Sequence, residues 1–215
     1  MLEYDSINNA VLRLAPTTVK HVLDLGCGCG SLGAALKGGS SNPPRITGVT
    51  FNEREAAMAR SVLDEVVVAD LNQLNPEQIG GPFDCLICSH VLEHLYRPDL
   101  VLANLRPFLT PDAVVLVALP NTLAWRQRFQ FLVGRFRYTD GGLMDRTHYR
   151  FFDWVTARQL LTMNGYRVEK AEADGVFPGA RWLPVIGPML SRVAVRMAPG
   201  LFAWQFVIRA RPVSV

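Results

Sequence analysis

The sequence predicts a single α/β domain, built on a seven-stranded, mostly parallel sheet with helices on both faces. Three observations predict it. From Lys20 onward, short β-rich runs alternate with amphipathic stretches, which is typical of βαβ units. The β-rich runs are continuously apolar, as expected for strands that are covered on both sides. The length of 215 residues, with 49% hydrophobic and 19% charged residues, suits one domain over 1–215.

The alternation gives the order of the elements. The strand candidates as far as residue 120 are HVLDL (21–25), RITGVTF (45–51), EVVVAD (65–70), FDCLICS (83–89) and AVVLVALP (113–120). The helix candidates between them are SLGAALK (31–37), EREAAMARSVL (53–63) and PDLVLANLRPFL (98–109). A helix over 153–165, with Gly165 as its C-terminal stop, precedes the strand candidates YRVEKAEA (166–173) and AWQFVIRARP (203–212).

Two segments interrupt this rhythm. Residues 122–150 are rich in aromatic residues and arginine, and we expect a lid or acceptor wall whose arginines meet phosphate or carboxylate. An amphipathic helix with a solvated basic face is the alternative for most of those arginines. Residues 176–203 are rich in proline, glycine and apolar residues. This apolar insertion is expected to pack on the core, and contact with lipid or a hydrophobic acceptor is the alternative.

Charge and cysteine usage narrow the choice of partners and compartment. The net charge of +3 is too weak to predict a nucleic-acid partner. Residues 122–215 carry 14 basic and 6 acidic groups, which suits an anionic acceptor, a peripheral membrane contact or merely solvated arginines. Cys85 and Cys88 lie in an apolar strand candidate and are expected to be buried rather than to bind metal. Without a secretory signal or a membrane-spanning run, a cytoplasmic protein is expected.

The strongest local signal is VLDLGCGCG, in which a strand is followed by Gly26, Gly28 and Gly30. Glycines permit a tight turn that brings backbone amides close to a ligand, so a nucleotide-type cofactor is predicted. The spacing Gly28-x-Gly30-x-x-Gly33 also satisfies the dinucleotide pattern, which leaves an NAD-dependent oxidoreductase as an alternative.

Two carboxylates favour S-adenosylmethionine over a dinucleotide. Asp24 lies two residues before the first glycine, where it can accept a hydrogen bond from the amino group of a methionine moiety but would repel a pyrophosphate. Asp70 ends the third strand candidate and can accept a hydrogen bond from an adenine amino group. S-adenosylmethionine is therefore the predicted cofactor.

Three histidines follow strand candidates at the edge where ligands bind in open α/β sheets. His90 and His94 come after the fourth strand, and His148 lies beyond the fifth. If the acceptor is a hydroxyl, a base must remove its proton, and we predict His148 and His94 for this role, with Glu93 in support. Each histidine could instead cap a helix or pack. The set of Glu93, His94 and His148 also suits a divalent cation.

Over nearly all of its length the chain resembles the class I S-adenosylmethionine-dependent methyltransferases. The matching stretches are VLDLGCGCGSLG, GVTFNEREAAMA, VVVADLNQ, FDCLICSHVLEHL and THYRFFDWVTARQLLTMNGYRV. Within that superfamily the chain looks like the small bacterial enzymes related to the ubiquinone-pathway O-methyltransferases, including those associated with polysaccharide and lipid-linked sugar synthesis. This resemblance implies a Rossmann-like fold with a C-terminal antiparallel hairpin. It also implies methyl transfer, with a hydroxyl of a small molecule, sugar or lipid-linked intermediate as acceptor.

The resemblance also implies which residues bind the cofactor. Asp24, Gly26, Cys27 and Gly28 would hold the methionine part, Asp70 and Leu71 would contact adenine, and Gly30 and Ser89 complete the set. The family usually has an acidic residue after Gly-Val in the second strand, whereas this chain has Thr50. Enzymes resembling the cyclopropane-fatty-acid synthases also carry Gly-Val-Thr, and Asn52 or Glu53 could assist in binding the ribose.

A second likeness concerns metal. The set around Glu93 resembles the metal-binding pattern Glu-x-x-Glu-His of small-RNA 2′-O-methyltransferases, but His90 replaces the first glutamate. We therefore predict base catalysis without metal, with a divalent cation as the alternative. A cofactor-binding or scaffold protein without catalysis is the remaining alternative.

Overall fold

The computed structural model describes residues 7–213, and its centre is a seven-stranded sheet in the order β3-β2-β1-β4-β5-β7-β6. The strands are β1 (His21–Leu25), β2 (Arg45–Thr50), β3 (Glu65–Val68), β4 (Phe83–Ser89), β5 (Leu109–Pro120), β6 (Tyr166–Gly175) and β7 (Ala203–Pro212). Only β7 runs against the others, pairing antiparallel with both β5 and β6. The predicted mostly parallel sheet with a C-terminal antiparallel hairpin is confirmed.

Helices cover both faces of this sheet. They are α1 (Asn9–Leu14), α2 (Ser31–Gly38), α3 (Glu53–Ala59), α4 (Pro98–Leu105), α5 (Trp125–Leu132), α6 (Trp154–Thr162), α7 (Gly187–Met197) and α8 (Pro199–Phe202). Alternate strand residues enter two separate cores, as the period of two in a strand requires. Leu23 packs in one core with residues of α4 and α6, whereas Val22 packs in the other with residues of α1 and α2. The prediction of helices on both faces is therefore confirmed.

Several boundaries differ from the prediction, each for a local reason. Helix α3 ends at Ala59 rather than at residue 63, and the Ser61 hydroxyl donates to the Met58 carbonyl in the turn that follows. Helix α4 ends at Leu105 because Pro107 cannot continue its hydrogen-bond ladder. Helix α1 was not predicted. Its first turn is capped by Asn8, whose side chain accepts from the backbone amides of Ala10 and Val11.

The two segments that interrupt the alternation both contain helices. Helix α5 in residues 122–150 has no buried residue, and irregular backbone follows it. In residues 176–203, α7 packs through a narrow stripe of Gly187, Ser191 and Val195. Large apolar side chains in this segment remain exposed, among them Trp182, Val185 and Met197. The insertion thus packs on the core by one side only.

Two further observations concern the whole described part of the chain. The four cysteines are free and buried. For Cys85 and Cys88 this burial confirms the prediction made from their apolar strand. Within residues 7–213 none of the helices has the length and apolar character needed to span a bilayer.

The sheet has a crevice where its strand order reverses. Strands β1 and β4 are neighbours at the centre, with Leu25 of β1 opposite both Val49 of β2 and Cys88 of β4. The carboxyl ends of these strands therefore lie side by side. Ligands of open α/β sheets bind at such a switch point, and the predicted site residues follow these strands.

Candidate functional site

Asp24 lies at the carboxyl end of β1 with 2% of its surface exposed. Its Oδ2 atom is buried and has no hydrogen-bond partner within the described residues. Burial raises the pKa of Asp24 from its ordinary 3.8 to about 7. A buried carboxylate oxygen without a donor is unfavourable, and a cationic amino group placed beside it would relieve that cost. The residues around it enclose a small cavity of ≈ 50 Å³ that Gly26, Cys27 and Ser89 line.

The glycine loop after β1 approaches the cavity closely. Gly26 has a φ of 69°, and a Cβ added there would lie 2.7 Å from Cγ2 of Val91. The amides of Gly26 and Cys27 donate to the Val49 carbonyl, at 2.8 Å and 3.0 Å. These two amides are therefore used within the protein. At these positions a ligand can therefore come close to the backbone, but it finds no free N–H donor there.

A carboxylate lies at the end of β2 although the sequence has Thr50 there. The Thr50 hydroxyl is 2.8 Å from Oε2 of Glu55, which is in the first turn of α3. Asn52 caps that helix by accepting from the Arg54 amide. Glu53 is exposed and lies 3.7 Å from Arg60. Of the two residues suggested as assistants, one caps a helix and the other faces away, whereas Glu55 supplies the acidic group.

The loop after β3 contains the two predicted adenine-binding residues. Asp70 Oδ1 accepts from the backbone amide of Asn72, at 2.9 Å, so the carboxylate shapes its own turn. Its other oxygen, Oδ2, is 3.5 Å from the Gln73 side chain. Leu71 is buried, with 8% of its surface exposed. In the strand order β3-β2-β1, one strand separates this loop after β3 from Asp24 at the end of β1.

A larger cavity of ≈ 470 Å³ adjoins the one at Asp24, because Gly26 and Ser89 line both. The structure brings the three predicted histidines together in this larger cavity. Its walls include His90, Glu93, His94 and His148. A group held at Asp24 and a group held by the histidines would therefore be neighbours.

His90 is held in a strained conformation by polar contacts on both ring nitrogens. Its φ of 53° lies in the left-handed region, which non-glycine residues adopt at a cost. Nδ1 is 3.2 Å from Glu93 Oε1, and Nε2 is 2.8 Å from Gln205 Oε1. Burial lowers the pKa of His90, but the hydrogen bonds and charge of Glu93 raise it by more, so the net pKa is above its ordinary value. The arrangement favours an imidazolium paired with Glu93.

Glu93 joins this histidine to the other two. It is 1% exposed, and while Oε1 faces His90, Oε2 has no hydrogen-bond partner within the described residues. Each of Glu93, His94 and His148 offers one ligand atom, and these atoms lie within 4.8 Å of one another. The Glu93 carbonyl also accepts from the amides of Tyr149 and Arg150, which anchors the histidine-bearing segment. This cluster can share a proton or hold a cation.

Backbone carbonyls define which nitrogen of each ring carries the proton. Nδ1 of His148 is 3.4 Å from the Leu143 carbonyl. Nδ1 of His94 is 3.2 Å from the Thr147 carbonyl and 3.0 Å from the Thr147 hydroxyl, which donates its own hydrogen to Asp145 Oδ1. A carbonyl only accepts, so Nδ1 carries the hydrogen and Nε2 of the neutral ring has the lone pair. Burial lowers the pKa of His148, with Glu93 opposing the shift. His148 is therefore neutral near pH 7, as a general base must be.

The segment 122–150 walls the histidine cavity, but not with its aromatic side chains. The cavity is lined by Gly141, Gly142 and Leu143 together with Asp145 and His148. Aromatic rings of the segment instead contact one another. The ring centre of Phe136 lies 5.5 Å from that of Phe131 and 5.6 Å from that of Tyr138.

Three of the arginines in this segment bind the protein itself. Arg128 donates to the carbonyls of Leu123 and Gly200, Arg146 pairs with Asp140, and Arg150 donates to the Tyr96 carbonyl.

Four residues of the site were missed from the sequence. Asn8 donates to Gln205 Oε1 at 2.9 Å and to the Ser89 hydroxyl at 3.3 Å. Gln205 Nε2 donates to Asp174, which connects β7 with β6 beside the histidine cavity. The fourth missed residue is Glu55, whose carboxylate in the first turn of α3 lies beside the Thr50 hydroxyl. Only Asn8 had a local signal, since an asparagine before an apolar run predicts a helix N-cap.

A Rossmann-like sheet with a carboxylate and a glycine loop at its switch point is the arrangement of a nucleotide-cofactor-binding protein. The family model described as "Methyltransferase domain" matches residues 3–171. The chain therefore belongs to this methyltransferase family. The predicted resemblance, and with it S-adenosylmethionine as cofactor, is confirmed by this family membership. The family match gives no support to the NAD-dependent alternative.

Curated relatives match about half of this chain. A ubiquinone biosynthesis O-methyltransferase of Pseudomonas aeruginosa (strain UCBPP-PA14) is 33% identical over 107 residues, which are 47% of this chain and 45% of the relative. The protein of the same description from Dechloromonas aromatica is 29% identical over 109 residues, again 47% of this chain and 45% of the relative. The chain thus matches less than half of the length of these relatives.

Solved structures agree in fold over nearly the whole chain. An S-adenosylmethionine-dependent methyltransferase from Archaeoglobus fulgidus has a TM-score of 0.68 at 20% identity, covering 94% of this chain and 91% of its own. The plantazolicin methyltransferase BpumL, in complex with SAH, has a TM-score of 0.60 at 17% identity, covering 92% and 77%. The [4+2]-cyclase SpnF has 0.61 at 17%, covering 96% and 80%. The fold therefore serves other chemistry as well.

Proposed function

We propose that the protein transfers a methyl group from S-adenosylmethionine to a hydroxyl oxygen of a small molecule, sugar or lipid-linked acceptor. The observation that carries the proposal is the unpartnered Asp24 oxygen in a cavity that adjoins the histidine cavity through Gly26 and Ser89. The first cavity suits a cationic amino group, and the second presents a base within the same crevice. The curated O-methyltransferase relatives support the choice of oxygen.

The residues present fit the cofactor. Asp24 would bind the amino group of its methionine part, and Gly26 leaves room that a Cβ at this position would fill. Glu55, placed by Thr50, would accept from the ribose hydroxyls, and Asp70 would accept from the adenine amino group. S-adenosylmethionine, when bound, supplies a methyl group already activated on a sulfonium sulfur. The work left to the protein is to hold the acceptor oxygen in line and to remove its proton.

His148 would remove that proton through Nε2. Its hydrogen bond to the Leu143 carbonyl keeps the lone pair on Nε2, and its lowered pKa keeps the ring neutral. The unpartnered Oε2 of Glu93 would stabilise the imidazolium that forms. His94, whose ring centre lies 4.7 Å from that of His148, would orient this base from the side.

His90 would act as a positioning residue rather than as a base. Its ring lies between Glu93 and Gln205, and Gln205 in turn donates to Asp174. This chain of contacts directs Oε1 of Glu93 toward His90, so Oε2 is left for the other two histidines. The left-handed backbone of His90 is the strain that this placement requires.

The test is turnover on a panel of hydroxylated acceptors. We expect the purified protein to convert S-adenosylmethionine to S-adenosylhomocysteine in the presence of a hydroxyl acceptor, and the methyl group to appear on oxygen by mass spectrometry. Tight binding of S-adenosylhomocysteine without turnover on hydroxyl, amine and thiol panels would instead favour the non-catalytic alternative.

The two glutamates of α3 give a matched pair for the ribose contact. Glu55→Gln should weaken S-adenosylhomocysteine binding roughly tenfold, because a charge-assisted hydrogen bond is lost. Glu53→Gln removes the same charge from an exposed position and should leave the affinity unchanged. Calorimetric titration of both variants measures this, and equal losses in the two would place the ribose elsewhere.

Metal dependence can be tested on the same protein. We expect turnover to survive dialysis against EDTA, because His148 as a neutral base needs no cation. Activity that disappears on chelation and returns only with added Mg²⁺ or Zn²⁺ would assign Glu93, His94 and His148 to a divalent cation instead.

A further inference from the structure

A second large cavity lies between β6 and α7. Its volume is ≈ 830 Å³, against ≈ 470 Å³ for the histidine cavity. Most of its wall is apolar, with Trp154, Ala171, Ala173 and Val195 among the lining residues. Asp174 lines both cavities, so they are neighbours at this residue. A molecule that occupied both would extend from the histidines to α7.

The charges around this cavity favour an anion. Arg13, Arg192 and Arg196 line it, and none of them has a carboxylate oxygen within 4.0 Å among the described residues. Of the two acidic residues of the wall, Glu172 has a cationic partner and Asp174 has a neutral amide donor, so three arginines face one uncompensated carboxylate. Glu172 pairs with Lys170 at 2.7 Å, and Asp174 accepts from Gln205 at 3.0 Å. The arginines are thus left to bind a ligand, and guanidinium groups suit phosphate and carboxylate.

We propose that this cavity binds an amphiphile with an anionic head, as the non-reacting part of the acceptor. Its apolar body would lie against the alanines of β6, and its anionic group would lie against Arg192 and Arg196 of α7. The hydroxyl to be methylated would reach past Asp174 to His148. The identification of the ligand as the acceptor rests on the proposed function, whereas the binding of an anionic amphiphile is independent of it.

Calorimetry with dodecyl phosphate below its micelle concentration tests the binding. The full chain should bind this probe. It should bind butyl phosphate, which lacks the long apolar chain, and dodecyl maltoside, which lacks the anionic head, at least roughly tenfold more weakly. The double variant Arg192→Gln/Arg196→Gln should weaken dodecyl phosphate binding by roughly tenfold or more. Arg167→Gln, at the far end of β6, is the matched control and should bind as the wild type does.

A second variant fills the cavity without changing its charge. Ala173→Phe should weaken dodecyl phosphate binding and leave S-adenosylhomocysteine binding intact, and circular dichroism checks its fold. If this variant does not fold, the arginine variant alone decides. Equal binding of dodecyl phosphate and dodecyl maltoside would overturn the proposal, as would an unchanged affinity in the arginine variant. Binding only to phosphatidylglycerol vesicles, and never to the monomeric probe, would also overturn it in favour of a membrane-facing surface.

Kinetics separate this inference from the proposed function. For two acceptors that differ only in an anionic group, the arginine variant should raise KM for the anionic one and leave kcat unchanged. If the wild type does not bind S-adenosylhomocysteine but does bind dodecyl phosphate, the proposed function is refuted and the proposal for the cavity still stands. An unchanged KM in the arginine variant would refute the acceptor assignment.

Discussion

Asp24→Asn should weaken S-adenosylmethionine binding at least roughly tenfold, the loss of one charge-assisted hydrogen bond. The same change should stabilise the protein when no ligand is present. Burial raises the pKa of this carboxyl to about 7, so folding disfavours its charged form. The carboxyl's contribution to stability is complete below its unfolded value of 3.8 and is lost as the pH rises to about 7. At pH 8 the asparagine variant should therefore melt at a higher temperature than the wild type.

Opposite effects on binding and stability would identify Asp24 as a residue kept for the ligand. Calorimetric titration with S-adenosylhomocysteine gives the affinity, and thermal melts at pH 5 and pH 8 give the stability. Asp112→Asn, an exposed change at the other end of the sheet, is the control and should alter neither. An asparagine variant that binds as well as the wild type would mean that the cofactor's amino group lies elsewhere.

The affinity of the wild type should itself depend on pH. A bound ammonium group favours the ionised carboxylate, so binding below about pH 7 must first remove a proton from Asp24. Affinity is therefore expected to rise as the pH increases through about 7 and then to level off. Titrations in two buffers of different ionisation enthalpy would measure the released proton, and an affinity that does not change with pH would contradict the assignment.

The centre of the sheet was predictable from the sequence because its strands β1, β2, β4 and β5 are largely buried on both sides. Continuous apolar runs such as FDCLICS mark these strands, and their alternation with helices fixes parallel pairing. Helix ends were less predictable, because they depend on single interactions. Ser61 competes for a carbonyl after α3, and Pro107 stops α4, so both helices end earlier than their apolar pattern suggests.

The residues of the site were likewise only partly predictable from the sequence. Residues at the carboxyl end of a strand or directly after it, such as Asp24 and His90, could be located from the sequence because these strand ends share one edge. Glu55 could not be assigned, since its role depends on a hydrogen bond from Thr50 across the first turn of α3. Gln205 and Asp174 lie within strands, and nothing in their neighbourhood in sequence predicts a polar contact across β6 and β7. Pairing over long sequence distances is what brings them to the site.

His148→Ala should lower kcat by roughly a hundredfold to ten-thousandfold on any hydroxyl acceptor that the panel identifies, because the base that removes its proton is lost. The affinity for S-adenosylhomocysteine should stay unchanged, since His148 lines the acceptor cavity and not the one at Asp24. In the wild type, kcat should fall only at a pH below that expected for an ordinary histidine, because burial lowers the pKa of His148. Rapid-quench assays between pH 5 and pH 8 measure both effects.

The fourth histidine of the chain is the control for this prediction. His21 lies at the start of β1, at the opposite end of the sheet, where its ring contacts the Pro82 carbonyl and the Thr47 hydroxyl. His21→Ala should leave kcat and its pH profile unchanged once the fraction of folded protein is corrected for. If His148→Ala retains wild-type kcat, whereas His94→Ala loses it, the base is the neighbouring ring and the role of Glu93 shifts with it. Because ligand atoms of Glu93, His94 and His148 all lie within 4.8 Å of one another, either ring is close enough to Glu93 to serve as the base, and the two single variants together decide which histidine takes the proton.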